Sequence, residues 1–259
     1  MATKSKAFRE PRKTRRIRAW YETRLAKIAR QIELIARLYK DETDPQRAAD
    51  LMQERLFTYA ERITPWAQDV AALMCEQASK ADYATWLEVG EGLSKATREK
   101  LKNAAVGPVF DRLQAEQVSL ITSLPREAAK TVHEWTRAGL EKGERFPDIA
   151  KRIQTELGQQ VLHRAVCVAR TETARARSNF TEARAKAVGS THYIWHTCGD
   201  GAVRKMHAEL DGTVQAWAAP PICEVGSKGA PVRAAPGCVW NCRCWASPLF
   251  QDDLMLQKS

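Results

Sequence analysis

The sequence predicts an α+β chain: a mainly α-helical N-terminal region followed by a small α+β C-terminal domain with short strands and a Cys/His-rich loop. Three observations predict it. Apolar residues recur at steps of three and four through about the first three-fifths of the 259 residues, which is the spacing of a helix face. Beyond Gly189, β-branched and aromatic residues gather in the short runs THYIWHT and TVQAW, as strands require. Gly and Pro become dense over the same stretch, and Cys and His cluster within it.

The first helix is predicted to start after Pro11, because Tyr21, Leu25, Ile28, Ile32, Ile35 and Tyr39 form one apolar stripe. That stripe packs either on the rest of the chain or on another subunit. Asp41 to Pro45 breaks the helix, with Asp44 capping the next one and Pro45 as its first residue. The segments LMQERLFTYAERI, WAQDVAALMCEQA and YATWLEVGEGLSKATREKL predict helices from 46 to about 104, with a break at Pro65 and with Trp66 and Trp86 in the core. Gly107 and Pro108 mark a further break. A helix then runs to about Ile121, and Ser123 with Pro125 starts another through Val132 and Trp135 to Leu140.

Phe146 to Leu157 predicts a short helix closed by Gly158. A long helix follows from about Val161 to Val188, rich in helix formers and ended by Gly189, with a small-residue face of Ala165, Ala169, Ala176 and Ala183. Leu210-Asp211-Gly212 reads as a tight turn before the TVQAW strand, and Pro220 to Gly237 as a long loop that something must organise. In domain terms the expectation is a basic arm (1–18), a helical region (19–122), an α+β domain (123–250) and a tail (251–259).

The formal net charge of +10 is concentrated at one end. Residues 1 to 30 hold 11 Lys/Arg and two Asp/Glu, which leaves 30 against 29 for everything after. A dense cationic arm on a nearly neutral body points to a polyanion, because each Lys or Arg that meets a phosphate releases condensed counterions without reading sequence. Arg12, Lys13, Arg15, Arg16 and Arg18 are the candidate nucleic-acid-binding residues. An acidic protein face offers the same attraction, and a solvated tail is the bland alternative. No run approaches the roughly 18 apolar residues of a membrane helix, and MATKSKAFREPRKTRRIR lacks the apolar core of a signal peptide. The expectation is a soluble protein made in a cytoplasm, its seven cysteines free thiols or metal ligands.

Between Trp195 and Cys244 the chain reads W-H-T-C-G-D, V-R-K-M-H, L-D-G and P-G-C-V-W-N-C-R-C. His207, Cys238, Cys242 and Cys244 are donors of the kind a tetrahedral zinc site uses, and such a clip would organise a segment too loop-rich to hold itself. Arg204 stands where a first knuckle would place a ligand, so a fourth donor comes from Cys198, Cys223 or Cys238. The alternative is that the thiols are small buried hydrophobes and His207 a hydrogen-bonded core residue. Catalytic readings are weaker. Cys242 or Cys244 with His207 lacks demonstrated adjacency, and Asp200, His207 and Asp211 lack the paired carboxylates of a metal nuclease. No catalytic residue is assigned.

At these residues the sequence resembles the phage Mu F-type minor head protein family, also called the phage head morphogenesis domain. The resemblance rests on order as well as kind: VARTETARARSNFTEARAKAVG, a Trp and Asp before VRKMHAELDGTV, then N-C-R-C followed by an apolar strand. It covers about residues 125 to 250. Some relatives place Cys-x-x-Cys where this chain has Arg204 to His207, a departure that bears on any four-thiolate site. The resemblance implies a non-enzymatic minor capsid protein of a bacteriophage virion, made in the bacterial host cytoplasm. It would be linked to portal or major capsid protein and would act in head assembly and in packaging or ejecting double-stranded DNA, with no membrane and no small-molecule substrate. The competing readings are a zinc-dependent nucleic-acid-processing enzyme or toxin-like domain, and a free-standing DNA-binding module.

Overall fold

The structure, a computed structural model, describes residues 12–39, 41–89 and 94–250. The first eleven residues of the basic arm, the side chains of Arg12 and Lys13, and the tail at 251–259 lie outside the described residues. As expected, a helical N-terminal region precedes a C-terminal region of short strands bearing the Cys and His residues.

The helices are α1 (Arg12–Arg37), α2 (Pro45–Arg62), α3 (Thr64–Val89), α4 (Lys95–Lys102), α5 (Gly107–Glu141) and α6 (Phe146–Ala187). The predicted cap of α2 forms: Asp44 accepts from the N–H groups of Gln46 at 2.9 Å and Arg47 at 3.2 Å, with Pro45 at the first helical position. A carboxylate there satisfies backbone donors that have no partner inside the helix. The break expected at Pro65 is a single turn residue, Ile63, and Pro65 sits in the first turn of α3, where its missing N–H costs nothing.

Two predicted breaks are absent. Pro125 lies inside α5, which runs unbroken for 35 residues. An interior proline costs about 3 kcal/mol, but Ile121, Leu124, Ala128 and Val132 are all buried around it, and burying each large aliphatic side chain contributes about 1.5–3 kcal/mol. The burial outweighs the lost hydrogen bond. Likewise Gly158 does not end a helix, because α6 is continuous for 42 residues. Its glycine serves packing, since a Cβ at position 158 would lie 3.1 Å from Glu33 Cβ. Trp66 is also corrected: Trp86 is fully buried, whereas Trp66 is half-exposed.

After α6 come β1 (His192–His196), α7 (Lys205–Leu210), β2 (Val214–Ala216), β3 (Ile222–Val225), β4 (Pro231–Arg233) and β5 (Trp245–Leu249). β1 is the centre of an antiparallel sheet ordered β2-β1-β5, with Tyr193 opposite Gln215 and Trp195 opposite Ala246. Its period-two pattern turns Tyr193 and Trp195 inward, both fully buried. The expected turn forms at Asp211-Gly212, where Gly212 takes φ +75° and Asp211 accepts from the Thr197 N–H at 2.8 Å. The stretch from Pro220 to Gly237 is not a plain loop: β3 and β4 pair as a hairpin within it.

The chain divides into two compact units, each discontinuous in sequence. One comprises residues 19–73 and 114–169 and is wholly helical. Its core takes in the α1 stripe, with Tyr21, Leu25, Ile28, Ile32 and Ile35 all buried and the Tyr21 hydroxyl donating to Gln117 Oε1 at 2.9 Å. The stripe is therefore covered by the chain itself. The other unit comprises residues 1–18, 74–113 and 170–259. Its core gathers Trp86, Leu101, Ala185, Tyr193, Trp195 and Trp217 with Cys223, Cys242 and Cys244. Of the small-residue face on α6, Ala165, Ala169 and Ala176 are buried and Ala183 is partly exposed.

Candidate metal centre and the loop that builds it

The loop from Pro236 to Cys244 is held in shape by α6. Asn241 adopts φ +58°, the only positive φ outside glycine among the described residues. Asparagine tolerates that region better than most side chains. Two side chains of the RTET stretch clamp it there: Arg170 Nη1 donates to Asn241 Oδ1 at 2.9 Å, and the Asn241 N–H donates to Thr171 Oγ1 at 2.8 Å. Gly237, at φ +86°, passes so near α6 that a Cβ would meet the Ala174 carbonyl oxygen at 3.2 Å and that of Cys244 at 3.1 Å. The P-G-C turn thus needs glycine for both conformation and space.

On the other side, Arg243 forms a two-pronged pair with Asp200 at 2.6 and 2.7 Å, which holds the Asp200 carboxyl below its ordinary range. Arg204 Nη2 donates to the Trp240 carbonyl at 2.6 Å, and its Nε lies 2.9 Å from Glu224 Oε1. Arg204 ties the loop to the start of α7 by a hydrogen bond and the β3 hairpin by an ion pair.

Within this frame three donors converge. His207 Nδ1 lies 3.6 Å from Cys242 Sγ and 3.5 Å from Cys244 Sγ, and the three donor atoms all fall within 4.8 Å of one another. His207 is oriented by Trp195, whose ring meets it edge-on at 5.5 Å. All three donor residues are buried. Bond lengths of about 2.3 Å to sulfur and 2.0–2.1 Å to nitrogen at a tetrahedral centre imply N···S edges of about 3.6 Å. The observed edges have that length, so the donor set fits a tetrahedral thiophilic ion in both chemistry and spacing.

Electrostatics concentrate negative charge on one sulfur. The Cys242 thiol is pulled down to about 4 by the hydrogen bond from Cys244, assisted by His207 and by the Cys244 and Gly237 N–H groups. Cys244 is driven up by the same pairing and by burial. The thiols of Cys223 and Cys242 raise His207 to about 9, against burial, which acts to lower it. Both shifts run in the same sense, favouring the charged form of Cys242 and of His207 over the neutral one.

Of the four predicted ligands, the structure brings His207, Cys242 and Cys244 together. Cys238 lies elsewhere: its thiol is 3.9 Å from Asn179 Nδ2 and is raised to about 11 by burial. Cys223, on β3, is the further thiol that acts on the His207 ring. None of the seven cysteines forms a disulfide. Of the predicted polyanion contacts, Arg15 and Arg16 are exposed and Arg18 is half-buried near the start of α1. Sequence reasoning missed the clamp of Arg170 and Thr171 on Asn241. Both ends lie in motifs legible in the sequence, but no spacing relates positions 70 and 71 residues apart.

A second polar centre in the same unit was also missed. Asp82 on α3, almost fully buried, accepts from Arg184 Nη1 and Thr181 Oγ1, both at 2.5 Å, and Arg184 Nη2 donates to Ser79 Oγ at 3.0 Å. Burial pushes the Asp82 carboxyl up, while Arg184 and Thr181 pull it back. This network ties α3 to the RTET-bearing helix.

Comparison with known proteins finds a likeness over this part of the chain. The family model described as Phage Mu protein F like protein matches residues 130–247, a span that contains the clamp, the three donors and the sheet up to the middle of β5. A Haemophilus influenzae protein described as uncharacterized is 27% identical over 186 residues, 70% of this chain. The chain spans 39% of that relative's length. No solved structure matches.

Proposed function

We propose, from the premise that residues 130–247 carry a phage Mu F-like module, that this chain is a minor head protein of a tailed phage, associated with portal or inner capsid. It acts in head assembly and in DNA packaging or ejection, and it is not an enzyme. The observation that carries the reading is the family match, which spans the two motifs that the Asn241 clamp joins physically. Burial of His207, Cys242 and Cys244 supports a structural use of the thiols, because a nucleophile must be reached by its substrate. In this reading the donors hold zinc as a clip that fixes the loop before β5, with His207, Cys242 and Cys244 as ligands and Cys223 as a further thiol that acts on His207. The metal supplies folding energy there and no reaction step. Among the described residues, no helix is long and apolar enough to cross a membrane.

The cationic start of the chain contacts packaged duplex DNA through Arg12, Lys13, Arg15, Arg16 and Arg18, electrostatically and without reading sequence. Mass spectrometry of purified particles detects the polypeptide at low copy; its absence from particles overturns the assembly role. Replacing those five residues with Gln lowers DNA affinity and reduces the slope of log affinity against log salt by about 4.5, since each phosphate that a cation neutralises adds about 0.9 to that slope. An unchanged slope removes DNA from the proposal.

A further inference from the structure

β3 carries one more residue than the stretch of β4 it faces: Ile222 pairs with Arg233 and Glu224 with Val232, so Cys223 bulges from the ladder. Neighbours in a regular strand point to opposite faces, and an extra residue breaks that alternation and re-aims side chains. Cys223 is fully buried, and Glu224 beside it is turned inward as well, with its Oε1 buried. That oxygen lies 3.8 Å from His207 Nε2.

Nε2 is the nitrogen that the cluster of donors leaves over. His207 directs Nδ1 at the sulfurs of Cys242 and Cys244. Its side chain is only 2% exposed, and Nε2 is buried with no hydrogen-bond partner. Glu224 Oε1 is likewise buried and accepts no hydrogen bond. A possible donor and an acceptor, both dry and both unsatisfied, thus face each other within about 1 Å of hydrogen-bond distance. Leaving either of them unbonded is costly, and a change in the Glu224 side-chain torsions closes the gap. Arg204, at the start of α7, anchors the carboxylate there, with its Nε 2.9 Å from the same oxygen. The neighbouring Cys223 thiol is 3.6 Å from the Val232 carbonyl, and sulfur is a weaker acceptor than a carboxylate.

We propose that Glu224 is the positioning residue of the metal centre: it accepts the Nε2–H of His207 and so fixes the tautomer and ring orientation that present Nδ1 to the ion. This role rests on the zinc-clip reading of His207, Cys242 and Cys244. A neutral imidazole that ligates through one nitrogen carries its proton on the other, and a carboxylate that receives this proton orients the ring and strengthens it as a ligand. The bulge, the ion pair with Arg204 and the two unsatisfied atoms then serve one purpose.

The test is the zinc affinity of the full chain, measured by competition with a chelating dye. The wild type binds zinc stoichiometrically, and Glu224→Ala binds it about 10–100-fold more weakly. Glu224→Gln loses the charge, and with it the Arg204 ion pair, but keeps an acceptor oxygen; it recovers most of the lost affinity. Long-range proton–nitrogen correlation spectra of the zinc-loaded wild type show His207 metal-bound at Nδ1, with a proton on Nε2 that exchanges slowly and becomes labile in Glu224→Ala. These spectra and Glu224→Gln decide the matter if Glu224→Ala does not fold. Equal losses in the two variants make Glu224 only the counter-ion of Arg204, and they overturn the proposal. So does undiminished affinity in Glu224→Ala, or metal on Nε2; in both cases the zinc clip itself stands. A wild type that binds no zinc overturns the clip and the role of Glu224 together.

Discussion

The two compact units are held together by different physics. The all-helical unit is stabilised by apolar faces: the α1 stripe from Tyr21 to Ile35 is buried with little polar help beyond the Tyr21–Gln117 hydrogen bond. The unit with the strands has an apolar centre as well, but its peripheral loop depends on directed contacts, namely Arg170 and Thr171 on Asn241, Arg243 on Asp200, Arg204 on Trp240 and Glu224, and His207 among thiols. Hydrophobic burial scales with area and tolerates small shifts. Hydrogen bonds and metal ligation fail once geometry moves by a fraction of an ångström. The comparison predicts a forgiving unit and a brittle one.

Three measurements sharpen that contrast, or break it. The largest effect is expected from the metal: with zinc at a thousand times its Kd, stabilisation is about 4 kcal/mol. Elemental analysis should find stoichiometric zinc that disappears in Cys242→Ser and Cys244→Ser. Chelation should erase the near-ultraviolet dichroism of Trp195 while far-ultraviolet helix signal persists; simultaneous collapse of both signals would show that the two units do not differ in this way. Next, Leu25→Ala in the helical unit should cost about 3 kcal/mol in denaturant unfolding, the middle of the range for truncating a buried leucine. The metal content should not change. The smallest effect is expected at Gly237→Ala, about 1–3 kcal/mol for a strained backbone position, accompanied by weakened metal retention because the turn must move away from the Ala174 carbonyl. A Gly237→Ala variant that unfolds normally and keeps full metal would contradict the account of that turn.

The same contrast decides what the sequence revealed. Helix positions, the Asp44 cap, the β1 and β2 strands and the α1 stripe were legible because each depends on residues a few positions apart. Pro125 and Gly158 misled, because local signals for a break were overridden by burial along α5 and by the close approach of Glu33 to α6. The β3–β4 hairpin was hidden by the proline that opens β4, by the glycines of the turn between the strands and by strands only four and three residues long. The compact units left no linker signature, since their boundaries at 18/19, 73/74, 113/114 and 169/170 all fall inside helices. At the candidate site, His207, Cys242 and Cys244 were identifiable by donor type alone. Choosing between Cys238 and Cys223 as a further thiol required the hairpin, which carries Cys223, the thiol whose influence raises His207.

The clasp on Asn241 also sets an order of events during synthesis. A chain growing from its N-terminus has Arg170 and Thr171 in place long before position 241 emerges, so the helix serves as a waiting template. Until Asn241 docks, Cys242 and Cys244 remain open to oxidants and to stray metal ions, and each nascent molecule passes through that vulnerable interval before this loop closes.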